Sequence, residues 1–202
     1  MKKISLAVFV STKGTDLRAI IDAKKSGQLD YVDLKFVLSD KEKCYGLERA
    51  RQAGIKTIYI NPQGKSREEF DAECLNICRE YQIDLILLIG YMRIMTKIII
   101  APYKNRIYNI HPSLLPKYPG MDLDVHREVL KNKETETGCT LHIVTEDLDA
   151  GPIILRAKVK VEENETPASL KLKVQAKERE VILQGLKMFA ERELCPPRAE
   201  DR

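Results

Sequence analysis

Apolar residues follow two rhythms along this chain. Ile4–Val10 is an almost unbroken apolar run, which suits a short strand buried on both faces. Beyond the polar stretch Ser11-Thr12-Lys13-Gly14-Thr15-Asp16, the residues Leu17, Ile20, Ile21 and Ala23 recur at helical spacing. The alternation then repeats. Strands are predicted at 32–38, 56–60, 83–89 and 106–110, and helices at 46–53 (closed by Gly54), 66–81 and 96–102. Ser66, with Glu69 three residues on, forms a capping box that marks the start of the third helix. Segment 83–89 is the most apolar and is expected at the sheet centre. Regular strand–helix alternation implies parallel strands with right-handed crossovers. After position 111 the pattern changes. Residues 111–125 read as a Pro/Gly/Asp-rich loop and 126–133 as a helix; 138–144 and 152–161 read as strands joined by an acidic turn. A long helix at 167–189 follows, with Pro167 in its first turn. The expected fold class is α/β and Rossmann-like: a mostly parallel twisted sheet with helices on both faces, C-terminal antiparallel strands and a long last helix. One domain is expected over 1–192, with a frayed tail over 193–202.

Composition narrows the possibilities. With 44% hydrophobic and 32% charged residues over 202 positions, the chain reads as globular rather than disordered or fibrous. Its longest apolar runs, 85–89 and 98–101, fall far short of the ~20 residues that span a bilayer. The basic start followed by Ile4–Val10 superficially suggests a secretory signal. Ser11-Thr12-Lys13 and the missing small-residue cleavage pattern argue against that, so a cytoplasmic location is expected. The net charge of +4 is spread among acids rather than blocked, which speaks against nucleic-acid and membrane partners. The odd set Cys44, Cys74, Cys78, Cys139 and Cys195 lacks a disulfide framework. Cys74 and Cys78, four apart with Phe70, Ile77 and Tyr81, read as small residues on a buried helix face. No His or second Cys pair stands near them to complete a metal site, so no metal is expected.

Ligands of open α/β sheets bind beyond the carboxyl ends of the strands, and four segments there carry unusual chemistry. In Asn109-Ile110-His111-Pro112-Ser113-Leu114-Leu115-Pro116, an amide and an imidazole two residues apart point to the same side of a strand end. Together they can hydrogen-bond a developing oxyanion and exchange a proton near neutrality; a lone histidine there is otherwise structural. The acidic turn Thr145-Glu146-Asp147-Leu148-Asp149-Ala150-Gly151-Pro152 either bonds its own backbone or, if Asp149 faces His111, orients a protonated imidazole. Glu178 lies amid the apolar face of the last helix formed by Leu170, Val174, Val181, Ile182 and Phe189, with Gln175 at its border. A carboxylate there is either ion-paired or ligand-binding, since bare burial costs several kcal/mol. The stretch Ser11–Asp16 has the position of an anion-binding helix N-terminus, yet its single Gly is no dinucleotide fingerprint and it is not a complete P-loop. On its residues alone, a plain turn and cap is the stronger reading.

Taken together, Asn109-x-His111-Pro112-Ser113-Leu114-Leu115-Pro116 resembles the signature of the folate-dependent formyltransferases, and Asp147-Leu148-Asp149-Ala150-Gly151-Pro152 matches that family's second motif in the expected order. Gly46-Leu47-Glu48-Arg49-Ala50-Arg51-Gln52-Ala53-Gly54 and Gly90-Tyr91-Met92-Arg93-Ile94 extend the likeness, toward the branch acting on glycinamide ribonucleotide. It covers nearly the whole chain.

The resemblance implies a formyl transfer from the co-substrate 10-formyltetrahydrofolate to the amine of that phosphorylated acceptor. It assigns catalysis to Asn109, His111 and Asp149. Folate would lie against Arg67, Met92, Arg93, Ile94, Met95, Asn109, Thr145, Glu146, Asp147, Leu148 and Asp149. The acceptor would be held by Gly14, Thr15, Asp16, Gln175, Ala176, Lys177 and Glu178. The partners would be these small molecules, and the protein a monomer or homodimer. Two departures stand out. The family's Gly-x-Gly-Ser-Asn phosphate loop is here Thr12-Lys13-Gly14-Thr15-Asp16, and the segment after Gly120 is about two residues longer. A carboxylate at Asp16 would repel a phosphate unless Lys13 neutralises it. The alternatives are a relative that formylates another amine such as an amino sugar, a hydrolase of the donor, and a Rossmann-type nucleotide-binding module without enzymatic activity.

Overall fold

The structure is a computed structural model and describes residues 3–120 and 122–194. Five strands, β1 (Ile4–Val10), β2 (Val32–Ser39), β3 (Thr57–Tyr59), β4 (Leu85–Ile89) and β5 (Ile107–His111), run parallel. Two more complete the sheet: β6 (Glu136–Ile143) pairs antiparallel with β5, and β7 (Ile153–Lys160) antiparallel with β6. All seven form one sheet in the order β3-β2-β1-β4-β5-β6-β7. The expected α/β, Rossmann-like class is therefore observed.

Two apolar layers clothe the sheet. On one face, Ile4, Leu6, Val8 and Val10 of β1 pack with α1 (Leu17–Lys25), α2 (Tyr45–Gln52) and the long α6 (Pro167–Leu194). On the other, Ala7 and Phe9 pack with α3 (Arg67–Glu80) and α4 (Lys97–Ile100), as the two-residue period of a strand requires. In β2 that parity breaks. Leu6 pairs with Leu34 but Ala7 with Phe36, so Lys35 is an extra residue. The bulge turns Phe36 and Leu38 to the α3 side while Val32 and Leu34 stay on the α1 side.

The capping box is present. The Ser66 hydroxyl accepts from the Glu69 N–H at 3.1 Å, and the Glu69 carboxylate accepts from the Ser66 N–H at 2.7 Å. Ser66→Ala is expected to cost about 1 kcal/mol in urea unfolding without altering catalysis. Cys74 and Cys78 are fully buried, as expected, and burial pushes the Cys78 thiol up to about 12. No helix among the described residues is long and apolar enough to cross a membrane.

Several boundaries differ from expectation. The segment expected to loop through position 125 becomes helical at Asp122, where α5 (Asp122–Lys131) begins. Val125 and Val129, four apart, are both buried, the spacing of one helix face. Strand β6 starts at Glu136 rather than at 138. Helix α6 runs on to Leu194, into the region expected to fray; residues 195–202, with Cys195, and Met121 lie outside the described residues.

Candidate active site

The strand order reverses between β1 and β4, and the loops after these two strands are stitched together there. The Ser11 N–H donates to the Gly90 carbonyl at 3.1 Å, while the Ser11 hydroxyl accepts from the Met92 N–H at 2.9 Å and donates to Asp40 at 2.6 Å. Such a switch point is where open α/β sheets bind ligands. Gly90 has φ +57°, and a Cβ on it would meet the Thr12 hydroxyl at 2.4 Å. The Thr12 side chain thus fills the space that Gly90 leaves open.

Beyond β4, the loop is held against α3. The Arg93 guanidinium stacks 4.0 Å over the Phe70 ring, and the Thr96 N–H donates to Asp71 at 2.5 Å. Burial holds the Asp71 carboxyl above its usual range. Met95 is buried, while Met92 and Ile94 remain 36% and 49% exposed, so the loop offers apolar surface to a flat ligand. Arg67 is exposed in the first turn of α3.

The next side chains converge across β5 and β6. Their antiparallel register sets His142 opposite Asn109 and Thr140 opposite His111. Asn109 Nδ2 lies 3.1 Å from His142 Nε2, and His142 Nδ1 lies 3.0 Å from the Ile143 carbonyl. A carbonyl only accepts, so Nδ1 carries the proton of the neutral ring and Nε2 accepts from the Asn109 amide. Asn109 keeps its second amide N–H for another acceptor.

Asp149 sits between the two imidazoles. Its Oδ1 is 3.6 Å from His142 Nε2 and its Oδ2 is 3.5 Å from His111 Nδ1. Oδ2 also accepts from the Gly120 N–H at 3.1 Å. Burial alone would push this carboxyl up. The neighbouring His142 and His111 rings and the Gly120 N–H outweigh it and hold Asp149 below the usual carboxylate range. Its φ of +52° is left-handed, a conformation that Asp tolerates better than most residues. His111 Nε2 donates to the Tyr118 carbonyl at 2.8 Å, which fixes the neutral tautomer and leaves Nδ1 facing Asp149. A proton arriving at Nδ1 turns a lone-pair contact into an ion pair. The 3.5 Å separation is longer than a formed hydrogen bond.

Thus Asn109, His111 and Asp149 come together as expected, and His142 joins them, a residue not anticipated from sequence. Thr145, Glu146, Asp147 and Leu148 form the turn leading to Asp149; Glu146, Asp147 and Leu148 are exposed, and the Thr145 hydroxyl donates to the Asp147 carbonyl at 3.2 Å. Asn109→Ala removes this amide donor while keeping Asp149 and both imidazoles, and turnover is expected to fall by about 100-fold or more in a steady-state assay of a variant whose melting temperature is unchanged.

The acceptor-side residues are only partly gathered. Gly14 has φ +57°, and a Cβ there would meet the Gly46 Cα at 2.9 Å, so this turn requires glycine. Thr15 and buried Asp16 lead into α1. Gln175 and buried Glu178 lie on neighbouring stripes of α6. Burial lifts the Cys139 thiol to about 12, with the Glu178 and Asp16 carboxylates pushing the same way. Ala176 is exposed and Lys177 pairs with Glu180 at 2.8 Å, each on another side of the helix. Lys13, one candidate for neutralising Asp16, borders an open hollow with Lys41 and Lys43. Arg179 of α6 does reach Asp16, at 3.5 Å.

The formyl transferase family matches residues 4–186. Phosphoribosylglycinamide formyltransferase of Escherichia coli is 40% identical over 189 residues, covering 93% of this chain and 88% of that protein. The human trifunctional purine biosynthetic protein adenosine-3 is 38% identical over 94% of this chain, which spans only 18% of that longer protein. Among solved structures, glycinamide ribonucleotide transformylase 1 of Symbiobacterium toebii superposes with a TM-score of 0.89 at 39% identity, covering 94% of this chain and 88% of that one. With a match across almost the whole sheet and relatives this similar over most of their length, the chain belongs to the formyl transferase family.

Proposed function

We propose that this chain transfers the formyl group of 10-formyltetrahydrofolate to the amine of glycinamide ribonucleotide, a step of purine biosynthesis. The observation that carries the reading is the Asn109–His142–Asp149–His111 network at the sheet's carboxyl edge, held in a chain of this family. The names of the bacterial relatives support the acceptor.

In this reading, folate lies along Arg67, residues 92–95 and the 145–149 turn, with its formyl carbon at Asn109. The acceptor lies on Gly14, Thr15 and Asp16 and against Gln175 and Glu178. Its amine attacks the formyl carbon and the carbonyl π electrons move to oxygen. Asn109's free amide N–H and the Nδ1–H of a His111 imidazolium meet that oxyanion. The new ammonium gives up a proton, the folate nitrogen receives one, and the oxyanion re-forms the carbonyl as the old C–N bond breaks and tetrahydrofolate leaves. Asp149 keeps the imidazolium charge in place and supports the proton's passage, directly or through a water. An amine is already a competent nucleophile, so this chemistry needs no metal. The protein acts in the cytosol on these small molecules, as a monomer or homodimer.

Following donor consumption with and without glycinamide ribonucleotide tests the reading. Consumption that depends on this acceptor supports it. Equal consumption without acceptor makes the protein a donor hydrolase, and dependence on a different amine relocates the acceptor.

A further inference from the structure

We infer that Arg179 grips the acceptor's phosphate and that Asp16 positions Arg179, instead of repelling the phosphate as a lone carboxylate would. The inference rests on the phosphorylated acceptor proposed above, and three observations carry it.

First, Asp16 is not behaving as a helix cap. It stands before α1 with φ −81° and ψ −17°, already helical, and its side chain makes no capping hydrogen bond. A buried carboxylate with that role vacated needs a countercharge, and Arg179 of α6 supplies one, with Nε 3.5 Å from Oδ1.

Second, the pair is lopsided. The Asp16 side chain is 8% exposed and that of Arg179 43%, although its Nε is itself buried. A guanidinium has five N–H donors. Nε turns inward to Asp16, and Arg179 has no other hydrogen bond or ion pair among the described residues. The four N–H groups of its outer nitrogens form a fork suited to phosphate oxygens.

Third, the loop's own donors face away from α2. The Thr12 carbonyl accepts from the Gly46 N–H at 3.2 Å and from the Cys44 thiol at 2.9 Å, and the Lys13 carbonyl accepts from Arg49 at 2.9 Å. In a trans peptide the C=O and the following N–H point in opposite directions. The N–H groups of Lys13 and Gly14 are therefore aimed away from α2. Gly14's left-handed φ curves them into the concave arrangement that holds anions. On α6, Gln175 and Arg179 are one turn apart and share a stripe beside buried Glu178.

The alternative is a purely structural tie between α1 and α6, and the sign of one substitution separates the two. If Asp16 merely repelled the phosphate, Asp16→Asn would lower the KM for glycinamide ribonucleotide. If it holds Arg179 in position, Asp16→Asn raises that KM. Arg179→Gln is expected to raise it by about 10- to 100-fold, the span of a lost hydrogen-bonded charge contact, with the effect on KM rather than kcat. Folate affinity by calorimetry stays at the wild-type value in both variants. Arg179→Lys, which keeps the charge but not the fork, falls between, and it serves if Arg179→Gln is poorly folded.

A purely structural tie would lower the melting temperature and leave KM within twofold in all three variants. That result, or a fall in KM for Asp16→Asn, overturns the inference while the proposed activity stands. Failure of the wild-type protein to use glycinamide ribonucleotide removes the activity itself.

Discussion

Replacing His111 with alanine or glutamine is expected to lower kcat by about 10³-fold or more, within the range of a positioned acid–base group. The ring is held at both ends: Nε2 donates to the Tyr118 carbonyl, and Nδ1 faces Asp149. Alanine deletes the ring. Glutamine can still offer an N–H to Tyr118 but cannot carry a transferable proton, so loss of activity in both isolates the chemistry from the packing. The fold tolerates the change because the Tyr118 carbonyl keeps a second donor, the Ser113 hydroxyl at 3.3 Å. Single-turnover rates and thermal melts of the two variants check this. Near-wild-type turnover in a folded His111→Gln protein would remove the imidazole from the mechanism.

Asp149→Asn is expected to be of similar severity, about 10³-fold in kcat, the scale on which an imidazolium loses its orienting carboxylate. Asparagine is the informative replacement, because it accepts a left-handed φ as aspartate does and can still accept from the Gly120 N–H. What disappears is the charge between His111 and His142. The same substitution reports on stability. Asp149 is held below the usual carboxylate range in the folded protein. A carboxylate depressed in this way stabilises the fold above its unfolded value, and that contribution is lost as pH falls through the folded value. Wild type should therefore exceed Asp149→Asn in denaturant stability near neutrality, and the gap should close below about pH 4. A gap independent of pH would show that the carboxylate's charge does not act on the fold.

The elements up to β5 were legible because buried parallel strands leave apolar runs that caps and glycines punctuate. Ser66 with Glu69 marked the start of α3 to the residue. The onset of α5 was hidden by Pro, Gly and Asp in the approach to it, since the acids at 122 and 124 read as loop although they equally favour a helix start. Asn109, His111 and Asp149 were legible through short motifs. His142 was not, because it looks like one polar residue within an apolar strand. Its signal lies in pairing: once β6 is set antiparallel to β5, the register puts His142 across from Asn109. Arg179 gave no signal at all. Nothing in the spacing of α6 tells which of its many basic residues meets a carboxylate more than 160 positions earlier in the chain.

The single hydroxyl of Ser11 links Asp40 after β2 to the Met92 backbone after β4, in a residue whose own N–H also bonds Gly90. The surfaces assigned to the two substrates therefore share one rivet, and neither evolves alone. A lineage that drifts toward a new acceptor by altering the loop after β1 also disturbs the seat of the formyl donor. Changes of acceptor are thus steered toward the far wall, α6, where side chains can be exchanged without loosening that rivet.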